Sequence, residues 1–191
     1  AGRDVIADYA GNCFNGHTAQ EYFRLGASRI VASIELTAAE LEMLVAPWSG
    51  EGFDVMVYGR PEGMTIEHCV LSAAYERVAT TCRDLCVQKH AVVQITDPAG
   101  YTFAVATDTA CRNRLLHSRP LEGSEYLPRL WNAGIRGFHV VFNVPNEPVT
   151  QVIAGYRQML DDLAAARPAL SDPVRSLVGD AFRRGHFARA V

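Results

Sequence analysis

The stretch "SRIVASIELTAAELEMLVAPWSGEGFDVMVYG", Ser28 to Gly59, decides the reading of the fold. "SRIVASIEL" is a nearly continuous apolar run, as a strand buried on both faces would be. Thr37 and Glu40 then form a capping box that opens a helix, and Pro47 stops it. "FDVMVYG" is a second apolar run of strand length. Strand, short helix, strand is the βα unit of a parallel sheet.

The same rhythm extends outward. Upstream, "DVIADYAGNCFN" is β-prone and breaks at Asn15-Gly16; Thr18 with Glu21 reads as a capping box, and Gly26 ends that helix. Downstream, the rhythm fails from Arg60 to Ser118 and then resumes. "SEYLPRLWNAGI" predicts a helix ending near Gly134, and "GFHVVFNV" a fourth strand. "NEPVTQVIAGYRQMLDDLAAA" is the strongest helix, with Pro148 in its first turn and Val149, Val152, Ile153, Tyr156, Leu160 and Leu163 at helical spacing. The tail "DPVRSLVGDAFRRGHFARAV" is a short helix with a basic end. Within the interruption, "AVVQITDPAGYTFAVATD" predicts a hairpin turning at Asp97-Pro98-Ala99-Gly100.

Four βα-type strands are half of the eight that close a barrel. The expectation is an α/β chain: a partial TIM-like (β/α) barrel, about its second half, as one domain over residues 1–191. A cysteine-rich insertion over residues 60–118 carries the hairpin. The first residue is Ala1, inside strand-like sequence, as in a fragment of a longer barrel. Such a half would expose sheet edges and pair with the remaining barrel half or a partner chain.

The chain has 191 residues, a formal net charge of -3 and 49% hydrophobic residues, the profile of a globular domain with a real core. That charge gives no global pull toward nucleic acid or an anionic membrane. No apolar run reaches the length of a membrane span, and no signal-peptide pattern opens the chain. G-x-S-x-G, H-E-x-x-H, Gly-rich phosphate loops and G-x-G-x-x-G are absent.

Five cysteines stand at Cys13, Cys69, Cys82, Cys86 and Cys111. Clustered thiols without a secretion signal favour metal or catalysis over disulfides, and a reducing cytoplasm. From Cys69 the spacing is C-x12-C-x3-C-x24-C. Four thiolates hold either a tetrahedral zinc or a [4Fe–4S] cluster. The close Cys-x2-Cys knuckles of structural zinc are missing, which leans toward a cubane. Zinc, or no metal and merely buried thiols, are the alternatives. The last reading suits Cys13, at a predicted strand end. Arg83 and Arg112 flank ligand candidates, where a cation would lower a thiol pKa; ordinary solvated arginines are the bland reading. His68 is a ligand, an acid/base or a hydrogen-bonded loop histidine, and His17, His139 and His186 carry the same ambiguity. Glu35 ends a predicted strand, at the face where barrel chemistry occurs, and is either catalytic or a cap for the next helix.

"VMVYGRPEGMTIEHC" resembles a segment of peptidase family U32, the collagenase-like proteases, through Tyr58, Gly59, Arg60, Met64, Glu67, His68 and Cys69. "DYAGNCFN", "ASRIVASIELTAAEL", "TDTACRNRLLHS", "YRQMLD" and "RRGHF" resemble further family segments in the same order. The family's His-Gly-x-x-Cys signature is replaced here by Gly59-Arg60 and Glu67-His68-Cys69. The resemblance implies a TIM-like barrel and a [4Fe–4S] cluster on Cys69, Cys82, Cys86 and Cys111. It implies either peptidase activity or oxygen-independent hydroxylation of RNA bases or a small aromatic quinone precursor, with prephenate as the oxygen donor. Arg60, Arg83 and Arg112 are then candidates to bind a carboxylated donor, and Glu35, Arg60 and His68 candidates for catalysis. A metal-stabilised assembly module is the third reading.

Overall fold

The computed structural model describes residues 3–78, 82, 85–88, 93–108, 110–179 and 182–188. In chain order the elements are β1 (Ile6–Ala7), α1 (Gly16–Arg24), β2 (Arg29–Val31), α2 (Ala38–Val45), β3 (Phe53–Gly59), β4 (Glu62–Ile66), α3 (Val70–Ala74) and α4 (Leu85–Gln88). They continue with β5 (Val93–Thr96), β6 (Thr102–Thr107), β7 (Asn113–Leu116), β8 (Leu121–Glu122), α5 (Leu127–Asn132), β9 (Gly137–Val140), α6 (Val149–Ala164) and α7 (Asp172–Val178). The protein is mixed α/β and forms two compact units. The first comprises residues 1–59, 120–142 and 148–191, the second residues 60–119 and 143–147.

In the first unit β1, β2, β3 and β9 lie side by side, each parallel to its neighbour. β8 adds antiparallel at the end of β3, pairing Tyr58 with Glu122. No sheet closes into a barrel among the described residues. Every residue of β3 is buried, as its unbroken apolar run requires. Ile30, Phe53, Val57, Leu41, Leu127 and Val152 meet in the core. Thr37 and Glu40 make the capping box of α2: the Thr37 Oγ1 accepts from the Glu40 N–H at 3.1 Å, and the Glu40 carboxylate accepts from the Thr37 N–H at 2.8 Å. α2 ends at Val45, before Pro47, and Gly26 follows α1 with φ +97°.

Three expectations need correction. β2 covers only Arg29–Val31, because the chain turns beyond it: the Ser33 hydroxyl donates to Asn12 Oδ1 at 2.9 Å and the Leu36 N–H returns to the Ser33 carbonyl. Glu35 therefore stands in an exposed turn rather than at a strand end, and Thr37, not Glu35, caps α2. The N-cap of α1 is Asn15, whose side chain accepts from the Thr18 N–H at 3.0 Å, rather than Thr18 with Glu21. On α6 the buried stripe is Val152, Tyr156 and Met159, while Val149 and Ile153 are exposed.

Two polar assemblies lie within this unit. The buried Asp54 carboxylate accepts from Arg29 Nε at 3.0 Å and bonds His139 Nε2 at 2.9 Å. The fully buried Glu122 accepts from the Ser124 N–H at 2.8 Å and from the Tyr156 hydroxyl at 3.3 Å, and that hydroxyl also donates to the Val57 carbonyl at 2.9 Å. Among the described residues no helix is long and apolar enough to cross a membrane.

The second unit is an antiparallel sheet in the order β4-β7-β6-β5. β5 and β6 form the hairpin read from the sequence. Its turn closes where Asp97 Oδ1 accepts from the Tyr101 N–H at 2.9 Å, with Gly100 at φ +85°. Residues 91 and 92 of that stretch lie outside the described residues.

Candidate metal centre

The second unit holds four of the five cysteines. β4 leads straight into Glu67, His68 and Cys69, and Cys69 is the N-cap of α3, its sulfur accepting from the Ser72 N–H at 3.5 Å. Burial would raise the Cys69 thiol, but N–H groups of Ser72 and Leu71 and the side chains of Ser72 and Asn113 hold it below its ordinary value.

Cys111 comes from the other side of the sheet connection, just ahead of β7. Asp108 shapes its loop: Oδ1 accepts from the Ala110 N–H at 2.9 Å and the Arg112 N–H at 3.0 Å. The Asp108 carbonyl takes the Cys111 N–H at 3.1 Å. That turn places the exposed Cys111 at φ +62°, a left-handed conformation costly for a residue with a Cβ. Cys82 is tethered through its N–H to the Val78 carbonyl at 2.9 Å, and Cys86 rides on α4.

These segments surround a cavity of about 320 Å³ lined by the Cys69, Cys82 and Cys111 thiols together with Glu67, His68 and Arg77. Loss of water and the negative charges of Cys69, Cys82, Cys86 and Asp108 push the Cys111 thiol up. Among the described residues no three His, Cys, Asp or Glu side chains gather closely enough for a single metal ion. All five cysteines are free of disulfides. Cys13 belongs to the first unit, where it is 1% exposed in the core and its thiol is raised by burial: it is a packed apolar side chain.

The other candidates stand as follows. Arg60 donates through Nη1 to the His117 carbonyl at 2.9 Å and also to the Ser118 carbonyl, and its buried Nε has no hydrogen-bond partner. Asn143 Nδ2 donates to the Arg60 carbonyl at 2.8 Å. Arg112 is paired with Asp108 at 3.0 Å and is half-exposed. His68 lines the cavity, whereas Glu35 belongs to the first unit. Arg83 lies outside the described residues. His139 is the partner of Asp54.

Sequence reasoning missed Asp108, Asn113, Ser72 and Arg77. The Asp108 turn had a visible signal, an Asp followed within four residues by its N–H partners around a small-residue run. Asn113 had none, because its partners are distant in the chain.

The family model described as peptidase family U32 matches residues 4–189. Neither the curated proteins nor the solved structures gave a match.

Proposed function

The chain belongs to peptidase family U32, and from that premise we propose that it is a [4Fe–4S] protein carrying out oxygen-independent hydroxylation of RNA or a small aromatic substrate in a reducing cytoplasm. The observation that carries the reading is one cavity lined by Cys69, Cys82 and Cys111 together with Glu67, His68 and Arg77, with Cys86 among the charges acting on Cys111.

The donor set suits the cubane. The close Cys-x2-Cys knuckles of structural zinc are missing from the C-x12-C-x3-C-x24-C spacing. A cubane takes one thiolate at each of its irons, so its ligands stand farther apart. Cys69, Cys82, Cys86 and Cys111 would hold it. When bound, the cluster supplies one-electron chemistry at the cavity. The chain's own residues bind and orient around it. His68 and Glu67 are placed to move a proton at the substrate. Arg77 and Arg112 carry charge for a carboxylated donor such as prephenate. Arg60, held by the His117 and Ser118 carbonyls, is a further cation candidate for the same purpose. The sequential parallel order β1-β2-β3-β9 is that of barrel neighbours, so the proposal includes a partial (β/α) barrel, completed by further chain or a partner, with the second unit as its cysteine-rich insertion.

A peptidase is the second reading, favoured by the Cys69 thiol lying below its ordinary value beside His68. A cysteine that ligates a cluster is not free to be a nucleophile, so the two readings compete for Cys69. The test is cluster-loaded protein assayed for prephenate binding by calorimetry and for hydroxylated RNA or quinone precursor by mass spectrometry. Binding and product are expected. Loaded protein that binds neither donor nor RNA would sink the hydroxylase, and protein digestion abolished by Cys69→Ala would put the peptidase in its place.

A further inference from the structure

Cys69 and Cys111 sit on loops far apart in sequence, one leaving β4 and one entering β7, and their spacing is set by whatever ties those loops together. We propose that Asn113 is the positioning residue that clamps the Cys69 and Cys111 loops together. The proposal deepens the cluster reading above and rests on it in part.

Asn113 opens β7, the strand between β4 and β6, where it pairs with Ile66 on one side and Thr107 on the other. Its side chain is fully buried. Nδ2 donates to the His68 carbonyl at 3.1 Å and to the Cys111 carbonyl at 3.3 Å. Those carbonyls adjoin the two thiols directly: His68 precedes Cys69, and the other belongs to Cys111 itself. An amide nitrogen has two hydrogens, so one –NH₂ serves both loops, one hydrogen to each carbonyl. The other end of the amide, Oδ1, is buried and finds no partner among the described residues. Burying an unmatched carbonyl is unfavourable, and an apolar side chain of similar shape would avoid it. The position is therefore explained by what Nδ2 holds, not by packing.

Loss of the clamp frees the two loops that carry Cys69 and Cys111. Asn113→Leu keeps volume and burial but removes the donor. Asn113→Asp keeps the shape and sets a carboxylate against the His68 and Cys111 carbonyls.

The experiment has two arms on the full chain. In the first, Cys82→Ser and Cys86→Ser are present throughout, so no four-thiolate cluster forms, and Cys69–Cys111 disulfide formation under mild oxidant is followed by peptide mapping. Asn113→Leu should slow it several-fold. In the second, with all cysteines intact, iron release to a chelator is measured. Both variants should release iron several-fold faster, Asn113→Asp more so. If Asn113→Leu does not fold, Asn113→Thr, which suits a central strand, is read in its place. An unchanged disulfide rate overturns the clamp. Slowed disulfide formation with unchanged iron release overturns the clamp's hold on the cluster. Wild-type protein that takes up no cluster fails the cluster reading alone, since the first arm still judges the clamp.

Discussion

Gly59 sits between Tyr58 and Arg60 at the end of β3, with φ +124°, a backbone region essentially reserved for glycine. A Cβ there would fall 2.3 Å from the Val141 carbonyl oxygen and 2.9 Å from the Val141 Cβ. The space is missing because the chain beyond β9 closes on β3: the Val141 N–H donates to the Tyr58 carbonyl at 2.9 Å, next to a register break between Met56 and Tyr58. Gly59→Ala must adopt a strained backbone, push Val141 away and stretch that hydrogen bond. Strain contributes about 1–3 kcal/mol, forced repacking a similar amount, and the hydrogen bond about 1 kcal/mol. The loss should be about 3–7 kcal/mol, a large part of a typical domain's stability. Urea unfolding followed by far-ultraviolet circular dichroism reads it directly. A loss below about 1 kcal/mol would refute the reasoning, because it would mean that β3 and the Val141 segment are not held at this separation.

Further outcomes test other parts of the account. Burial would raise the Asp54 carboxyl, but His139 and Arg29 outweigh it and hold it below its ordinary value, so its stabilisation is present above the ordinary aspartate value of about 3.9 and is lost as pH falls through the depressed one. Asp54→Asn should flatten the acid limb of stability and cost about 1–3 kcal/mol at neutral pH, toward the lower end because Arg29 and His139 are 44% and 38% exposed; an unchanged acid limb would show the carboxylate is not so held. Tyr156→Phe should cost about 1–2 kcal/mol by removing the hydroxyl that bridges the Val57 carbonyl and Glu122, read in the same urea titration. Val152→Ala should lose about 2 kcal/mol, whereas Ile153→Ala, at a residue 50% exposed, should stay within about 0.5 kcal/mol; equal losses would contradict the placement of the buried face of α6.

The local signals in the sequence were legible where one element decides its own structure. The unbroken apolar run of β3, the Thr37–Glu40 box and the Asp97–Gly100 turn each act over a few residues, and each appears where the residues say. Boundaries failed where distant partners intervene. β2 stops early because Ser33 bonds Asn12, two segments away in the chain. The helical spacing on α6 was right, but which of the apolar neighbours face inward depends on what packs there, and Met159 rather than Ile153 does. The Arg29–Asp54–His139 assembly joins three strands and is fixed only by their register. At the candidate site the thiols were visible as residue types in a pattern, while Asn113, which ties their loops, carries no local mark because its acceptors lie at His68 and Cys111.

The most direct test of the central claim is the iron and acid-labile sulfide content, with the absorption spectrum, of protein purified without oxygen. The account predicts roughly four irons and four sulfides per chain, lost when Cys82 and Cys86 become serine. Stoichiometric zinc, or no metal bound by a folded chain, would contradict it.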